Sequence, residues 1–104
     1  MIGIENIGVY IPEKVRTNFA FKDKFEIDDN FIVNKIGFQN LAVKADEEDT
    51  SDLCVKAYEA LIQKIGIEKD SIDALVVITQ NPDNNIPHTS AVVHGKLAMN
   101  HSCA

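Results

Sequence analysis

Residues 72–79 read Ile-Asp-Ala-Leu-Val-Val-Ile-Thr, a nearly continuous apolar run in a chain of 104 residues. A run that is apolar on both faces is typical of an interior strand, often of a parallel sheet. Residues 80–87, Gln-Asn-Pro-Asp-Asn-Asn-Ile-Pro, follow as a loop by their turn-forming residues. Loops at the carboxyl ends of parallel strands are where α/β folds place ligands, and a rigid proline-containing turn is the alternative interpretation.

Helical patterns surround this strand. Thr50 to Ile65 places apolar side chains on one face at helical spacing, with Asp49 or Thr50 as the cap and Gly66 as the end. The stretch from Asp28 to Ile36, with Gly37 as its C-cap, predicts a second helix, and Thr89 is expected to cap a third.

Another strand is predicted near the N-terminus, at residues 2–11, from its β-branched content. Gly3 and Gly8 in this stretch indicate a closely approaching backbone. Strands alternating with helices predict an α/β fold. Because a sheet normally has more than two strands, the chain resembles the opening of a larger α/β domain.

Composition excludes several classes of protein. The net charge is −6 and Arg16 is the single arginine, which disfavours nucleic-acid binding because phosphate neutralisation needs clustered basic residues. No apolar run approaches the ~20 residues that span a bilayer, so no membrane partner is expected. No signal peptide is visible, which predicts a cytoplasmic protein whose Cys54 and Cys103 are free thiols.

The sequence does not contain the common motifs of cofactor-binding and metal-binding sites. There is no Gly-x-Gly-x-x-Gly, no Walker-type loop and no Cys-x-x-Cys. A late group of His88, His94, His101 and Cys103 matches no compact zinc spacing. We therefore expect neither a metal nor a cofactor, and a metal-binding domain remains the weakest alternative.

Several stretches of the chain are informative together. They are Ile7-Gly-Val-Tyr-Ile-Pro-Glu-Lys-Val-Arg-Thr-Asn18, Asp29-Asn-Phe-Ile-Val-Asn-Lys-Ile-Gly37, Thr50-Ser-Asp-Leu53, Ile72-Asp-Ala-Leu-Val-Val-Ile-Thr-Gln-Asn-Pro-Asp83 and Ile86-Pro-His-Thr-Ser-Ala-Val-Val-His-Gly-Lys-Leu97. In their order and spacing, these stretches resemble the β-ketoacyl-[acyl carrier protein] synthase III group of the thiolase superfamily.

The resemblance implies an acyl-condensing enzyme with a layered, duplicated α/β fold, usually a homodimer. Its substrates would be an acyl-CoA and malonyl-acyl carrier protein. Residues 1–104 would be a single, incomplete N-terminal segment of that thiolase-like fold. A non-catalytic binding or scaffold subunit, built from this half-unit alone, is the alternative from another class.

Site residues are also implied by the resemblance. The nucleophilic cysteine of the family would lie just past Ala104, so no catalytic residue is expected within this chain. Phe31 matches a tryptophan that stacks on the CoA adenine, and Lys35 matches an arginine near the CoA phosphates. Ile86 matches a bulky residue that crosses the dimer to wall the partner's acyl pocket. Helix packing, a solvated charge and interface packing are the alternative roles of these three residues.

Overall fold

The computed structural model describes residues 2–104, which divide into two units: 2–10 with 47–104, and 11–46. The regular elements are, in order, β1 (Val15–Thr17), a 3₁₀ turn (Asn18–Phe21), α1 (Lys22–Phe25), a π-helical segment (Phe31–Ile36), β2 (Asn40–Ala42), α2 (Thr50–Ile65), a second 3₁₀ turn (Lys69–Ser71) and α3 (Thr89–Lys96). The prediction that 1–104 is one segment of a larger domain stays a prediction.

Helix α2 forms as its sequence predicts. The backbone N–H of Asp49 donates to Asp52 Oδ2 at 2.9 Å, and the two residues form a reciprocal capping box at the first turn. Gly66 ends the helix with a left-handed φ of 65°, a conformation that glycine adopts without steric cost. The predicted helix and both of its ends are thus confirmed.

Packing in the first unit joins α2, α3 and the N-terminal segment. Helices α2 and α3 pack together, and the buried apolar side chains of this unit are those of Val93, Met99 and Cys103. A Cβ added to Gly8 would lie 2.5 Å from Leu61 Cβ, so the N-terminal segment crosses α2 in near contact. The predicted close approach is confirmed at Gly8, whereas a Cβ on Gly3 would meet nothing within 4 Å.

The segment 72–79 begins a parallel pairing with the end of the chain. Leu75 N donates to Ala104 O at 2.8 Å, and Ala104 N donates to Asp73 O at 2.9 Å. In a parallel sheet, one residue donates to a residue of the neighbouring strand and accepts from the residue two positions further along that strand. The two bonds of Ala104 follow this pattern.

Burial along segment 72–79 alternates as in a strand. Val76 and Ile78 keep 78% and 95% of their surface exposed, while Leu75 and Val77 are half-buried.

Neither predicted strand forms a ladder within the described chain. In residues 2–104 the regular sheet is the two-stranded pair β1–β2, and the segments 2–11 and 72–79 have no assigned strand. The physical reason is that a strand satisfies its backbone through neighbours, so apolar β-branched sequence alone does not make one.

The second unit, residues 11–46, is built on the antiparallel pair of β1 and β2. The paired residues are Val15 with Ala42, Arg16 with Leu41, and Thr17 with Asn40. Asn18 extends the pair by donating its backbone N–H to Gln39 O at 2.7 Å. The predicted helix before Gly37 is present, with wide π-type turns over Phe31–Ile36 and Gly37 at a φ of 84°.

Helix α3 begins one residue earlier than expected. Its N-cap is His88, and Thr89 is the first helical residue. The hydroxyl oxygen of Thr89 instead accepts the backbone N–H of Asp83 at 3.3 Å, which ties the helix to the preceding loop. Among residues 2–104, no helix has both the length and the apolar character needed to cross a membrane.

Candidate functional site

Phe31 and Lys35 lie one turn apart on the π-helical segment of the second unit. Asp28 Oδ1 accepts the backbone N–H of Phe31 at 2.8 Å, which fixes the start of the segment. The Lys35 ammonium lies 5.7 Å from the centroid of the Phe31 ring, and both side chains are exposed. The structure therefore brings these two predicted residues together as an aromatic face beside a positive charge.

The segment is held in place by one buried side chain and one ion pair. Ile32 is fully buried, so it anchors the segment while its neighbour Phe31 faces solvent. Lys22 and Asp29 form an ion pair at 2.5 Å, and Asp29 raises the pKa of Lys22 by hydrogen bonding and by charge. These contacts position the Phe31 and Lys35 pair on an ordered element of the unit.

Ile86 lies in the other unit, on the loop between segment 72–79 and α3. Ile86 keeps 87% of its surface exposed, so the described residues 2–104 cover little of it. Asn81 N donates to Thr79 Oγ1 at 3.0 Å, and Asn81 O accepts from the Thr50 hydroxyl at 2.5 Å. The first half of the loop is thus tied to α2, and Ile86 projects from the second half.

A cavity of about 290 Å³ opens where the loop leaves segment 72–79. It is lined by Val77, Thr79, Pro82, His88, Thr89 and Ser90. The carboxyl end of the predicted parallel strand is the position at which α/β folds bind ligands, and the cavity lies there.

A polar cluster at the start of α2 joins the loop to both helices of the first unit. The backbone N–H of the fully buried Ser51 donates to Asp83 Oδ1 at 2.9 Å. The Lys96 ammonium donates to Ser51 Oγ and to Asp52 Oδ1, both at 2.7 Å. The Lys96 hydrogen bond lowers the pKa of Asp52, and the same bond raises the pKa of Lys96.

Sequence reasoning missed this cluster. Its members are polar residues at ordinary cap and loop positions, and the bond from Lys96 to Asp52 spans 44 residues. The one local signal is the lysine in the last turn of α3, which is also explained by the helix dipole.

Another ion pair fixes the N-terminal segment on α2. Lys56 contacts Glu48, its ammonium lies 4.9 Å from the centroid of the Tyr10 ring, and it reaches the Tyr10 hydroxyl at 3.3 Å. The hydrogen bond to Glu48 is the main cause of a raised pKa of Lys56, and the hydrogen bond to Tyr10 raises it further. The contacts keep this lysine charged and make it a structural tie.

The two cysteines lie in packed surroundings. Cys54 is half-buried on α2, and burial raises the pKa of its thiol, which disfavours the reactive thiolate. Cys103 is buried beside the end of the chain. Within residues 2–104, the histidines, cysteines and carboxylates form no group of three or more that could hold a metal ion.

Comparisons with known proteins address the resemblance directly. No protein-family model matches the chain. The chain is 36% identical to β-ketoacyl-[acyl carrier protein] synthase III of Bradyrhizobium diazoefficiens over 97 residues, which are 93% of this chain and 30% of the relative. It is 32% identical to the synthase III of Geobacillus kaustophilus over 98% of this chain and 33% of the relative.

A solved structure gives the same result for the fold. The crystal structure of β-ketoacyl-[acyl carrier protein] synthase III from Thermus thermophilus matches 99% of this chain with a TM-score of 0.84 and 34% identity. That match covers 32% of the Thermus chain, so this chain spans about a third of the length of the proteins it resembles. The predicted resemblance is confirmed: this chain is similar along nearly its whole length to β-ketoacyl-[acyl carrier protein] synthase III, and it carries part of the same thiolase-like α/β fold.

Proposed function

We propose that this chain is the N-terminal part of an acyl-condensing enzyme of the β-ketoacyl-[acyl carrier protein] synthase III type, acting in the cytoplasm in fatty-acid or related biosynthesis. The observation that supports this most strongly is the agreement of sequence and fold with that group over 93–99% of the chain. The chain contributes substrate-contacting and pocket-forming surfaces, and the nucleophilic cysteine follows Ala104 in the complete protein.

The reaction divides into two steps. A cysteine thiolate attacks the thioester carbonyl of an acyl-CoA, the carbon–sulfur bond to CoA breaks as the acyl-enzyme thioester forms, and the departing CoA thiolate takes up a proton from solvent. Malonyl-carrier protein then loses CO₂, and the resulting enolate attacks the acyl-enzyme carbonyl. A carbon–carbon bond forms and the cysteine thiolate is released, while oriented hydrogen-bond donors stabilise the developing oxyanions.

Phe31 and Lys35 are proposed to contact the CoA. An exposed phenylalanine ring offers a stacking surface for the adenine, and an ammonium 5.7 Å from that ring centroid can pair with a phosphate. Lysine binds phosphate as a point charge without the paired donors of arginine, so we expect weaker and less directional binding than an arginine gives.

Ile86 is proposed to reach across a homodimer and wall the partner's acyl pocket. Its exposure of 87% leaves an apolar side chain free for burial by a second protomer. The net charge of −6 disfavours docking of an acidic carrier protein on this part of the chain, so that docking is assigned to other parts of the complete protein.

The test uses the complete gene product that contains this chain. Purified protein is incubated with acetyl-CoA and malonyl-carrier protein, and the release of CO₂ and the β-ketoacyl-carrier protein are measured. Replacing the first cysteine past Ala104 with alanine is expected to abolish condensation. Absence of product with the unmodified protein contradicts the proposal.

A matched pair of lysine variants tests the CoA contact. Lys35→Ala removes the proposed phosphate partner and is expected to raise the KM for acyl-CoA about 10-fold, the size of one hydrogen bond to a charged group. Lys24→Ala is the control, because Lys24 lies 5.4 Å from the Phe25 ring centroid in a similar pairing. An equal rise in both variants contradicts the assignment of Lys35.

The alternative is a non-catalytic scaffold subunit made of these residues alone. A protein that is stable on its own would bury its apolar strand residues. Val76 and Ile78 are instead exposed, and their segment makes two backbone hydrogen bonds to Ala104 in place of a full ladder. We therefore expect the isolated 104-residue chain to aggregate or to swap segments. A monodisperse monomer with one sharp thermal transition would favour the scaffold instead.

A further inference from the structure

The loop between segment 72–79 and α3 is anchored at Asp83. Its carboxylate accepts the Ser51 backbone N–H at 2.9 Å, and its own backbone N–H donates to Thr89 Oγ1 at 3.3 Å. One residue therefore connects the loop to the first turn of α2 and to the first turn of α3.

The bond from Ser51 to Asp83 cannot be replaced by water without rearrangement. Ser51 is fully buried and lies in the first turn of α2, where backbone N–H groups have no partner within the helix. A carboxylate at this position also complements the positive end of the helix dipole. Since the Ser51 hydroxyl accepts from Lys96 at 2.7 Å, the hydroxyl and the backbone N–H of Ser51 both have fixed partners.

Between Asp83 and His88, the loop is held at the two ends of this span. Residues 84–87, which the structure describes in full, make none of the observed hydrogen bonds, and the next anchored group is the carbonyl of His88, which accepts from Ala91 N at 2.9 Å. Ile86 lies in this span. Its position therefore depends on where Asp83 and His88 hold the two ends.

We propose that Asp83 is a positioning residue that sets the depth to which Ile86 enters the acyl pocket, and so selects the acyl chain length. The inference rests on the proposed function, because it takes Ile86 as a pocket wall. Asp83 itself touches no substrate: it acts through the buried Ser51 N–H and the short span that follows.

The test compares acetyl-CoA with hexanoyl-CoA as substrates of the complete gene product. Asp83→Ala removes the acceptor, and the ratio of the two kcat/KM values is expected to change about 10-fold, the size of one or two methylene contacts in an apolar pocket. Asp83→Asn keeps an acceptor oxygen and is expected to stay within about twofold of the unmodified ratio. Asn84→Ala, at an exposed neighbouring position without a hydrogen bond, is the matched control.

Hydrogen exchange of the peptide covering residues 80–88 gives a readout that is independent of chemistry. We expect faster exchange in Asp83→Ala and unchanged exchange in the asparagine and control variants. Should the alanine variant fail to fold, Asp83→Glu keeps the charge but lengthens the reach by one methylene, and it must still shift the chain-length ratio.

The outcomes separate the two proposals. If activity falls equally for both substrates in Asp83→Ala or Asp83→Glu, or if exchange is unchanged, the role of Asp83 is refuted while the enzyme assignment stands. If the unmodified protein condenses neither substrate, the proposed function fails and the selectivity role fails with it. The exchange data then report only whether Asp83 holds the loop.

Discussion

Helix α2 and segment 72–79 lie in the same unit, and the segment has the more apolar sequence of the two, yet only the helix is complete within the described chain. The helix is closed by the capping box of Asp49 and Asp52 at one end and by Gly66 at the other. The segment has backbone bonds at Asp73 and Leu75, and its side chains at Val76 and Ile78 face solvent. A helix satisfies its backbone from its own sequence, whereas a strand requires neighbours that other parts of a protein supply.

The prediction with the largest expected effect asks whether the side chains of segment 72–79 are buried in the complete protein. Ile78→Lys there is expected to lower the free energy of unfolding by about 4 kcal/mol, because a charge would be buried without a partner. Urea denaturation measures it, with Asp73→Lys as the control at an exposed polar position of the same segment. A loss below about 0.5 kcal/mol, typical of a surface position, would show that the segment stays exposed.

The next effect tests the contact that α2 makes with the N-terminal segment. Gly8→Ala is expected to cost about 3 kcal/mol, since the new Cβ would lie 2.5 Å from Leu61 Cβ and 2.9 Å from the Ala57 carbonyl oxygen. Gly3→Ala, with nothing within 4 Å, is expected to change stability by less than about 0.5 kcal/mol. Equal melting temperatures for the two variants would contradict the close crossing.

A smaller effect tests whether α2 is closed by its own sequence. Asp49→Ala removes the N-cap and is expected to lower the free energy of unfolding by about 1 kcal/mol. Glu47→Ala, at an exposed acidic position just before the cap, is the control. Denaturant titration measures the stability of both variants. Equal stabilities would contradict the claim that the cap at Asp49 stabilises α2.

The smallest effect concerns the pH dependence of the Asp52–Lys96 pair. Lys96 lowers the pKa of Asp52 below its ordinary 3.8, so the folded state gains stability above that pH and loses it as the pH falls through the folded pKa. Both side chains are more than a third exposed, so screening limits the effect to about 0.5 kcal/mol. Lys96→Met is expected to remove this acid-sensitive part of the stability. The free energy of unfolding is measured at pH 7 and below pH 4 for the variant and for the unmodified protein. If both lose the same amount between the two pH values, the pair contributes nothing.

Local signals explain what could be predicted. The caps at Asp49, Gly66 and Gly37 are encoded within a few residues of the elements they bound, and the structure confirms all three. The resemblance to the synthase III group was also readable, because several ordered motifs reinforce one another. The sequence predicts the N-cap of α3 at Thr89, one position after the observed cap His88, because a threonine is a favoured N-cap residue.

Long-range contacts explain what could not be predicted. Strands β1 and β2 have three residues each, too few to show an alternating pattern. The bond from Ser51 to Asp83 spans 32 residues, and no spacing rule connects a buried helix N–H to a loop carboxylate that far away. The exposure of Ile86 follows from its place on a loop, but the anchoring of that loop emerged only from the three-dimensional arrangement.

The distance in sequence between Asp52 and Lys96 also has a consequence for biosynthesis. The two residues are 44 positions apart, so a ribosome adding roughly 5–20 residues per second makes the carboxylate several seconds before its ammonium partner. The capping box needs only the neighbouring Asp49 and is complete long before then. Helix α2 can therefore start to form while the nascent chain is still growing, and the tie to α3 secures it afterwards.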